Sequence, residues 1–301
     1  MPKLSKEPVG LRPYLFHGVT LYLSQISGSE CPGVCPACSR ADKFSVNIDT
    51  SQGQCKHGGC RLSVNGSSFL IWLWEQSDGR TGVDYSGLAS ERKLLFPDTL
   101  MHWGVVRCLV TDRWLIPGYN VRGKLCQLYV WANMGGHPRL LATPTFNHQL
   151  HHPTAASGDY DPSKPEIYLC EGPWDAMALW ETMGSARWDE GGKSLISTAD
   201  RASSLLADAN VMAVPGCMTF VEAWLPLFAD KTVYLLYDSD HPKKSKPGKT
   251  ISPAGLAGMH RVSLMLTGAD DPPHTVRYLR WGKDGYAPEL PSGTDLRDIL
   301  T

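Results

Sequence analysis

Two groups of side chains in this sequence are spaced to do chemistry. Glu171 follows the apolar run Ile167–Cys170, and Asp238 and Asp240 follow the apolar run Val233–Tyr237. Both runs suit buried strands, and sites in open parallel sheets form beyond the carboxyl ends of strands. The two strands therefore deliver three acids to one edge. Carboxylates gathered there repel one another unless a divalent cation neutralises them, and an oxygen-rich set suits Mg²⁺ or Mn²⁺. The second group is sulfur. Cys35-Pro-Ala-Cys38 can place two thiolates on one ion, and Cys55-Lys-His-Gly-Gly-Cys60 offers a second pair. His57 can replace one member of that pair, and Cys31 is a spare in the preceding loop. Closed tetrahedral sulfur ligation is the chemistry of structural Zn²⁺.

The elements that must hold these groups differ along the chain. Residues 1–80 read as a zinc ribbon: Lys43–Asp49 alternates like a strand between the two knuckles. Asn65-Gly-Ser-Ser offers a helix N-cap before Phe69–Gln76, and Ser77–Gly82 reads as a polar, glycine-containing hinge. Residues 85–160 read as a basic, antiparallel lobe. It has a short helix at Leu88–Leu94, an alternating stretch from Trp114, hairpin chemistry at Asn120–Gly123 and a strand over Lys124–Ala132. Arg113, Arg122, Lys124, Arg139, His148, His151 and His152, interleaved with Tyr and Trp, can line a phosphate backbone.

Residues 161–301 alternate strand and helix patterns. Strands are expected at Ile167–Cys170, Ser194–Ser197, Val211–Val214, Val233–Tyr237 and Val276–Leu279. Helices are expected at Trp174–Met183, Ala202–Ala207, Phe220–Phe228 and Ala254–Leu266. Such alternation implies a mostly parallel sheet. The fold class expected for the whole chain is multidomain α+β and α/β. Directly after Asp240, Lys243, Lys244, Lys246 and Lys249 form a candidate phosphate-binding arm. Gly248-Lys249-Thr250 mimics the end of a P-loop, but Lys243 stands where the required glycine would be.

Composition sets the outer limits. The chain has 301 residues, with 29 basic and 30 acidic side chains, so nucleic-acid contact must come from local patches rather than net charge. No run approaches the length of a membrane span, and the first residues lack an apolar signal core. An intracellular chain with reduced thiols is the expectation. Cys108, Cys126, Cys170 and Cys217, scattered outside the cluster, read as small core residues.

Glu171-Gly-Pro-Trp-Asp175-Ala after one strand and Asp238-Ser-Asp240 after a later one resemble the Toprim domain. The order Cys-Pro-x-Cys, Lys43-Phe-Ser-Val-Asn47, second knuckle, then a turn into Phe69-Leu70 resembles the zinc-binding domain of DnaG-type primases. That family has a shorter second knuckle. The stretch from Trp114 to His152 resembles the amino-terminal part of the primase core, with Arg139 where the family commonly has Lys. The resemblance covers nearly the whole chain. It implies template-directed synthesis of short RNA primers on single-stranded DNA from NTPs, with a replicative helicase as partner, in the cytoplasm of a bacterial host or phage-infected cell. It implies metal ions on Asp238, Asp240 and Asp295, the last in the closing Gly293-Thr-Asp-Leu-Arg-Asp298, with Glu171 ligating metal or managing protons. It also matches Asp175 to the family's next acid. A RecR-like DNA-binding protein and a Toprim nuclease are the alternatives. In RecR-like chains the zinc knuckles sit close before the Toprim part, and the nucleases usually lack the front ribbon.

Overall fold

The computed structural model describes residues 10–16, 19–78, 83–108, 113–134, 137–142, 149–152, 160–189, 194–244 and 250–300. The chain forms two compact units that interleave in sequence. One takes residues 1–83, 105–117 and 125–147; the other takes 84–104, 118–124 and 148–301.

In the first unit a six-stranded sheet runs in sequence order through Arg12–Phe16, Val19–Leu23, Glu30–Gly33, Phe44–Asn47, Gln52–Cys55 and Ser63–Val64. All of its pairings are antiparallel. Gln52–Cys55 alternates outward and inward, which turns Gly53 and Cys55 to the buried face. The helix Gly66–Asp78 starts earlier and ends later than its apolar pattern alone suggests. Its start is a reciprocal cap: Ser68 N donates to Asn65 Oδ1 at 3.1 Å, and Asn65 N donates to Ser68 Oγ at 2.8 Å. Ser77 and Asp78, expected in a hinge, are the helix's last residues. Residues 79–82 lie outside the described set.

A second sheet has the order His137–Ala142, Leu125–Met134, Trp114–Tyr119, Val106–Arg107. Its side chains Val106, Leu115, Leu128 and Val130 share one core with Phe16, Phe44, Val46, Phe69 and Leu73. The cysteine-bearing strands and the middle strands are thus stabilised by the same apolar burial.

The second unit is built on a four-stranded parallel sheet, ordered Ala209–Ala213, Glu166–Cys170, Thr232–Leu236, Thr275–Tyr278. The chain moves to one side after the Glu166 strand and to the other side afterwards. The topological switch point therefore lies between Glu166–Cys170 and Thr232–Leu236. Ala209–Ala213 is buried throughout, whereas Glu166–Cys170 and Thr232–Leu236 bury one face and leave the other largely half-buried. Ile167, Leu169, Val233 and Leu235 pack with Phe220, Trp224, Met259, Val262 and Leu266. The helices Pro173–Gly184 and Ala254–Thr267 follow the first and third strands in sequence.

Three expected elements differ. Leu195–Ser197 lies outside the parallel sheet, in an antiparallel ribbon with Ala186–Trp188. Its residues are exposed, so no buried face draws it into the core. Phe220–Phe228 forms only a 3₁₀ turn at Glu222–Leu227, because Pro226 has no N–H to give an α-helix. Over 202–207 the regular structure is one short 3₁₀ turn at Arg201–Ser203. No helix among the described residues is long and apolar enough to cross a membrane.

Candidate functional site

Cysteines first. Cys35, Cys38, Cys55 and Cys60 place their sulfurs within 4.8 Å of one another. Cys35 and Cys60 are 3.8 Å apart, and Cys38 and Cys55 are 3.9 Å apart. Each pair sits on a tight turn. Ser39 N donates to Cys35 O, and Arg61 N donates to His57 O. Ser39 and Arg61, the residues just past each knuckle, take positive φ of 57° and 51°. Tetrahedral Zn²⁺ with four Zn–S bonds of about 2.3 Å fits such a set, which leaves no open position for chemistry. Of the alternatives open in the sequence, His57 is not in the group. Cys31 is fully buried elsewhere, with its sulfur 3.6 Å from Gly28 O.

The acidic edge lies at the switch point of the second unit. Glu171 continues the strand ladder, its N–H donating to Leu236 O at 3.1 Å. Its side chain reaches across the switch point, where Oε2 accepts from Asp238 N at 3.1 Å. Asp240 Oδ2 accepts from Gly255 N at 2.9 Å, at the start of the helix Ala254–Thr267. A helix amino terminus attracts anionic groups, so a carboxylate suits this position.

The helix comes this close because residue 255 has no side chain. A Cβ there would lie 2.6 Å from Asp238 O and 3.0 Å from Glu171 Oε2. One turn on, a Cβ at Gly258 would lie 2.4 Å from Cys217 O. Neither glycine carries a site signal of its own in the sequence. Their spacing of three within Pro253-Ala-Gly-Leu-Ala-Gly was the available clue, since it puts both on one helix face.

Electrostatics mark this edge as short of positive charge. Burial, then the charges of Glu171, Asp175, Asp295 and Asp240, push Asp238 up to about 9. Burial and the neighbouring Asp240 and Asp175 push Glu171 up to about 7, against the opposing hydrogen bond from Asp238 N. The charges that act most strongly on Asp238 are all negative. Hard oxygen donors in this condition fit a divalent cation. Among the described residues the four-cysteine group alone is gathered as tightly as a closed metal site. The acids form a more open set.

Asp175 and Asp295 are arranged differently. Arg297 Nε donates to Asp175 Oδ1 at 3.0 Å, and Arg297 Nη2 pairs with Asp295 Oδ2. Asp295 also exchanges backbone-to-carboxylate hydrogen bonds with Asp298 at 3.1 and 3.2 Å. Asp298 in turn pairs with Lys93. Fully buried Ser239, between the two acids of the Asp238–Asp240 loop, anchors this closing segment. Its N–H donates to Thr294 O at 2.9 Å, and its Oγ accepts from Ala287 N at 2.9 Å.

The expected basic residues divide. Arg122 and Lys124 are exposed on a turn closed by Asn120, whose Oδ1 accepts from both of their N–H groups. Arg139 lies on the strand His137–Ala142, opposite Ala132. His151 and His152, read as surface groups, are buried. His151 pairs its backbone with Ala213 at the edge of the parallel sheet. His152 stacks on Tyr160 at 4.1 Å and lies 4.4 Å from Tyr119. Lys243 and Lys244 pair with Ile251 and Thr250 in a two-stranded hairpin. Lys246, Lys249 and His148 lie outside the described residues.

No protein-family model matches the chain, and no curated protein matches it in sequence. Among solved structures it is similar to the DnaG catalytic core, at 13% identity and a TM-score of 0.49, over 77% of this chain and 74% of that one. It is similar to the E. coli primase catalytic core, at 14% identity and a TM-score of 0.45, over 78% and 74% of the two chains. It is also similar to the primase fragment of the bacteriophage T7 primase-helicase protein, at 14% identity and a TM-score of 0.43, over 90% of this chain and 94% of that fragment.

Proposed function

We propose that this chain is a primase: a metal-dependent nucleotidyltransferase that makes short RNA primers from NTPs on single-stranded DNA. The observation that carries the reading is the acidic edge. Glu171, Asp238 and Asp240 meet at the switch point of a parallel sheet, with raised carboxyl pKa values at the first two. We read the second unit as a Toprim domain and the cysteine-bearing strands as a zinc ribbon with Zn²⁺ on Cys35, Cys38, Cys55 and Cys60.

Mg²⁺ or Mn²⁺ at the edge would supply charge neutralisation for the triphosphate and activation of the primer 3′-hydroxyl. The chain's own groups do the rest. Asp238 and Asp240 would hold the cation, and Gly255 N–H keeps Asp240 turned to the site. Glu171, poised near pH 7, can accept a proton at Oε1 or Oε2 while Asp238 N–H fixes its orientation. Arg122, Lys124 and Arg139 are our proposed contacts to the template backbone, with Lys243, Lys244, Lys246 and Lys249 as a phosphate arm. A replicative helicase is the proposed partner, in the cytoplasm of a bacterial host or a phage-infected cell.

The test is primer synthesis on random-sequence single-stranded DNA with all four NTPs and Mg²⁺ or Mn²⁺. Primers made by the wild type and lost in Asp238→Asn support the reading; an equally active Asp238→Asn removes this edge from the mechanism. Binding to the same DNA should weaken steeply with salt. Replacing Arg122, Lys124 and Arg139 by Ala should lower the slope by roughly two to three counterions. An unchanged slope would shift the template track to the lysine arm.

A further inference from the structure

We infer that Arg297 is a built-in cation that withdraws Asp175 and Asp295 from the divalent-ion site, leaving that site to Glu171, Asp238 and Asp240. The inference rests on the divalent-ion reading of that edge. It is drawn from how charge is distributed among the five neighbouring acids.

Arg297 is held in two directions at once, by Asp175 through Nε and by Asp295 through Nη2. All three side chains are largely buried, at 13% exposure for Arg297 and Asp295 and 7% for Asp175. A guanidinium does not lose its proton at working pH, so the pair of acids has a permanent counter-charge. The positive charge of Arg92 also acts on this half of the site, through both Arg297 and the two acids. Asp298, next to Asp295, has Lys93 as its own partner. This half therefore holds cations of its own on the same scale as its acids.

Among the described residues, no cation is paired with an acid of the other half. Glu171 accepts a backbone N–H from residue 238 and Asp240 one from Gly255. The charges that act most strongly on Asp238 are those of carboxylates. A divalent ion entering between Asp175 and Asp295 would have to expel a buried guanidinium and leave it unpaired, a costly exchange. Mg²⁺ also requires near-octahedral oxygen geometry, which a carboxylate committed to a guanidinium does not offer. Entering at the other half, the ion relieves repulsion and displaces no cation. Arg297 thus limits the number of ions the edge takes and directs where they bind. It acts as a positioning residue.

The experiment counts Mn²⁺ bound per zinc-loaded full-length chain, from the electron paramagnetic resonance signal of free Mn²⁺ during titration. Arg297→Gln should bind one Mn²⁺ more than the wild type, and Arg297→Lys, which keeps the charge, should bind the same number as the wild type. Asp295→Asn, which leaves Arg297 in place, should bind as many ions as the wild type; this arm holds even if Arg297→Gln does not fold. Equal counts for Arg297→Gln and wild type would overturn the inference, as would loss of an ion in Asp295→Asn. Asp238→Asn tests the underlying reading separately, because it should lose the wild-type ion. A wild type that binds no Mn²⁺, with one gained in Arg297→Gln, would uphold the role of Arg297 and sink the metal reading of Glu171 and Asp238. No gain there would sink both.

Discussion

The cysteine cluster and the acidic edge both fit a metal, and they fit it in opposite ways. The four sulfurs are gathered on tight turns with their ligand atoms within 4.8 Å, and two of the four residues are buried. Neutral thiols can sit together without metal because they do not repel. The acids share an edge but stay more open, and Asp238 is driven toward its protonated form. Ionised carboxylates cannot be brought together at low cost until a cation arrives. The difference separates a structural ion from a working one. A closed set of soft ligands holds its ion as part of the fold, whereas an open set of hard ligands leaves positions for substrate oxygens and water.

The largest effects should fall on the open site. Asp238→Asn and Asp240→Asn should each lower nucleotidyl transfer by at least about a thousandfold, since a neutral amide forfeits several kcal/mol of metal-borne charge stabilisation. In the metal-free protein Asp238→Asn should leave the melting temperature unchanged near neutral pH, where Asp238 already holds its proton, and raise it near pH 9, where the neutral amide avoids a buried like charge. The same comparison run on the closed site should invert. Cys38→Ser should cost stability outright, because structural zinc supplies on the order of 10 kcal/mol in small metal-folded units. Hydrogen exchange should show lost protection in Phe44–Asn47 and Gln52–Cys55, with Glu166–Cys170 still protected. Because the ribbon shares its core with Leu115, Leu128 and Val130, protection should also weaken in their strands. A Cys38→Ser protein as stable as wild type, or wild type purified without zinc, would erase the distinction.

Both sites were legible because their chemistry is carried by residue type and short spacing. The Cys-x-x-Cys knuckle and an acid after an apolar run are local facts, and the fold had only to bring them together. Glu166–Cys170 and Thr232–Leu236 were readable for the same reason, each carrying an apolar run whose alternate residues are buried. What escaped was set by neighbours distant in sequence. Arg297 is an ordinary charged residue until the chain places it between Asp175, 122 positions away, and Asp295. His151 and His152 look like surface groups until the backbone of His151 pairs with Ala213 and His152 packs against Tyr119 and Tyr160. Leu195–Ser197 has a strand's composition but too little apolar surface to win a place in the sheet. The glycines at 255 and 258 mark a close approach that no propensity scale records.

The smallest of these effects, and the one that reads the open site most directly, is its pH dependence without divalent metal. Asp238, up to about 9, Glu171, up to about 7, and Asp175, up to about 6, hold protons in the folded protein that the unfolded chain releases near pH 4. Their contribution to stability is therefore full at low pH and is lost as pH rises through about 6, 7 and then 9. The carboxylates shifted the other way, Glu30, Asp161 and Asp298, are already ionised above pH 5 and contribute no slope there. Between pH 5 and 9 the melting temperature of zinc-loaded, Mg²⁺-free protein should thus fall, by roughly 5 °C for a chain of this size. Saturating Mg²⁺ should remove the fall, because the cation binds the deprotonated acids and stabilises the folded state most where protons are scarce. Asp238→Asn should flatten the metal-free profile above pH 7, since the group with the highest pKa is then absent. The cysteine cluster would offer no such slope with its thiolates bound to zinc. A metal-free profile that is level from pH 5 to 9 would mean that solvent screens the edge. Glu171 would then be fully ionised at neutral pH, free to bind a cation but no longer poised there between base and acid.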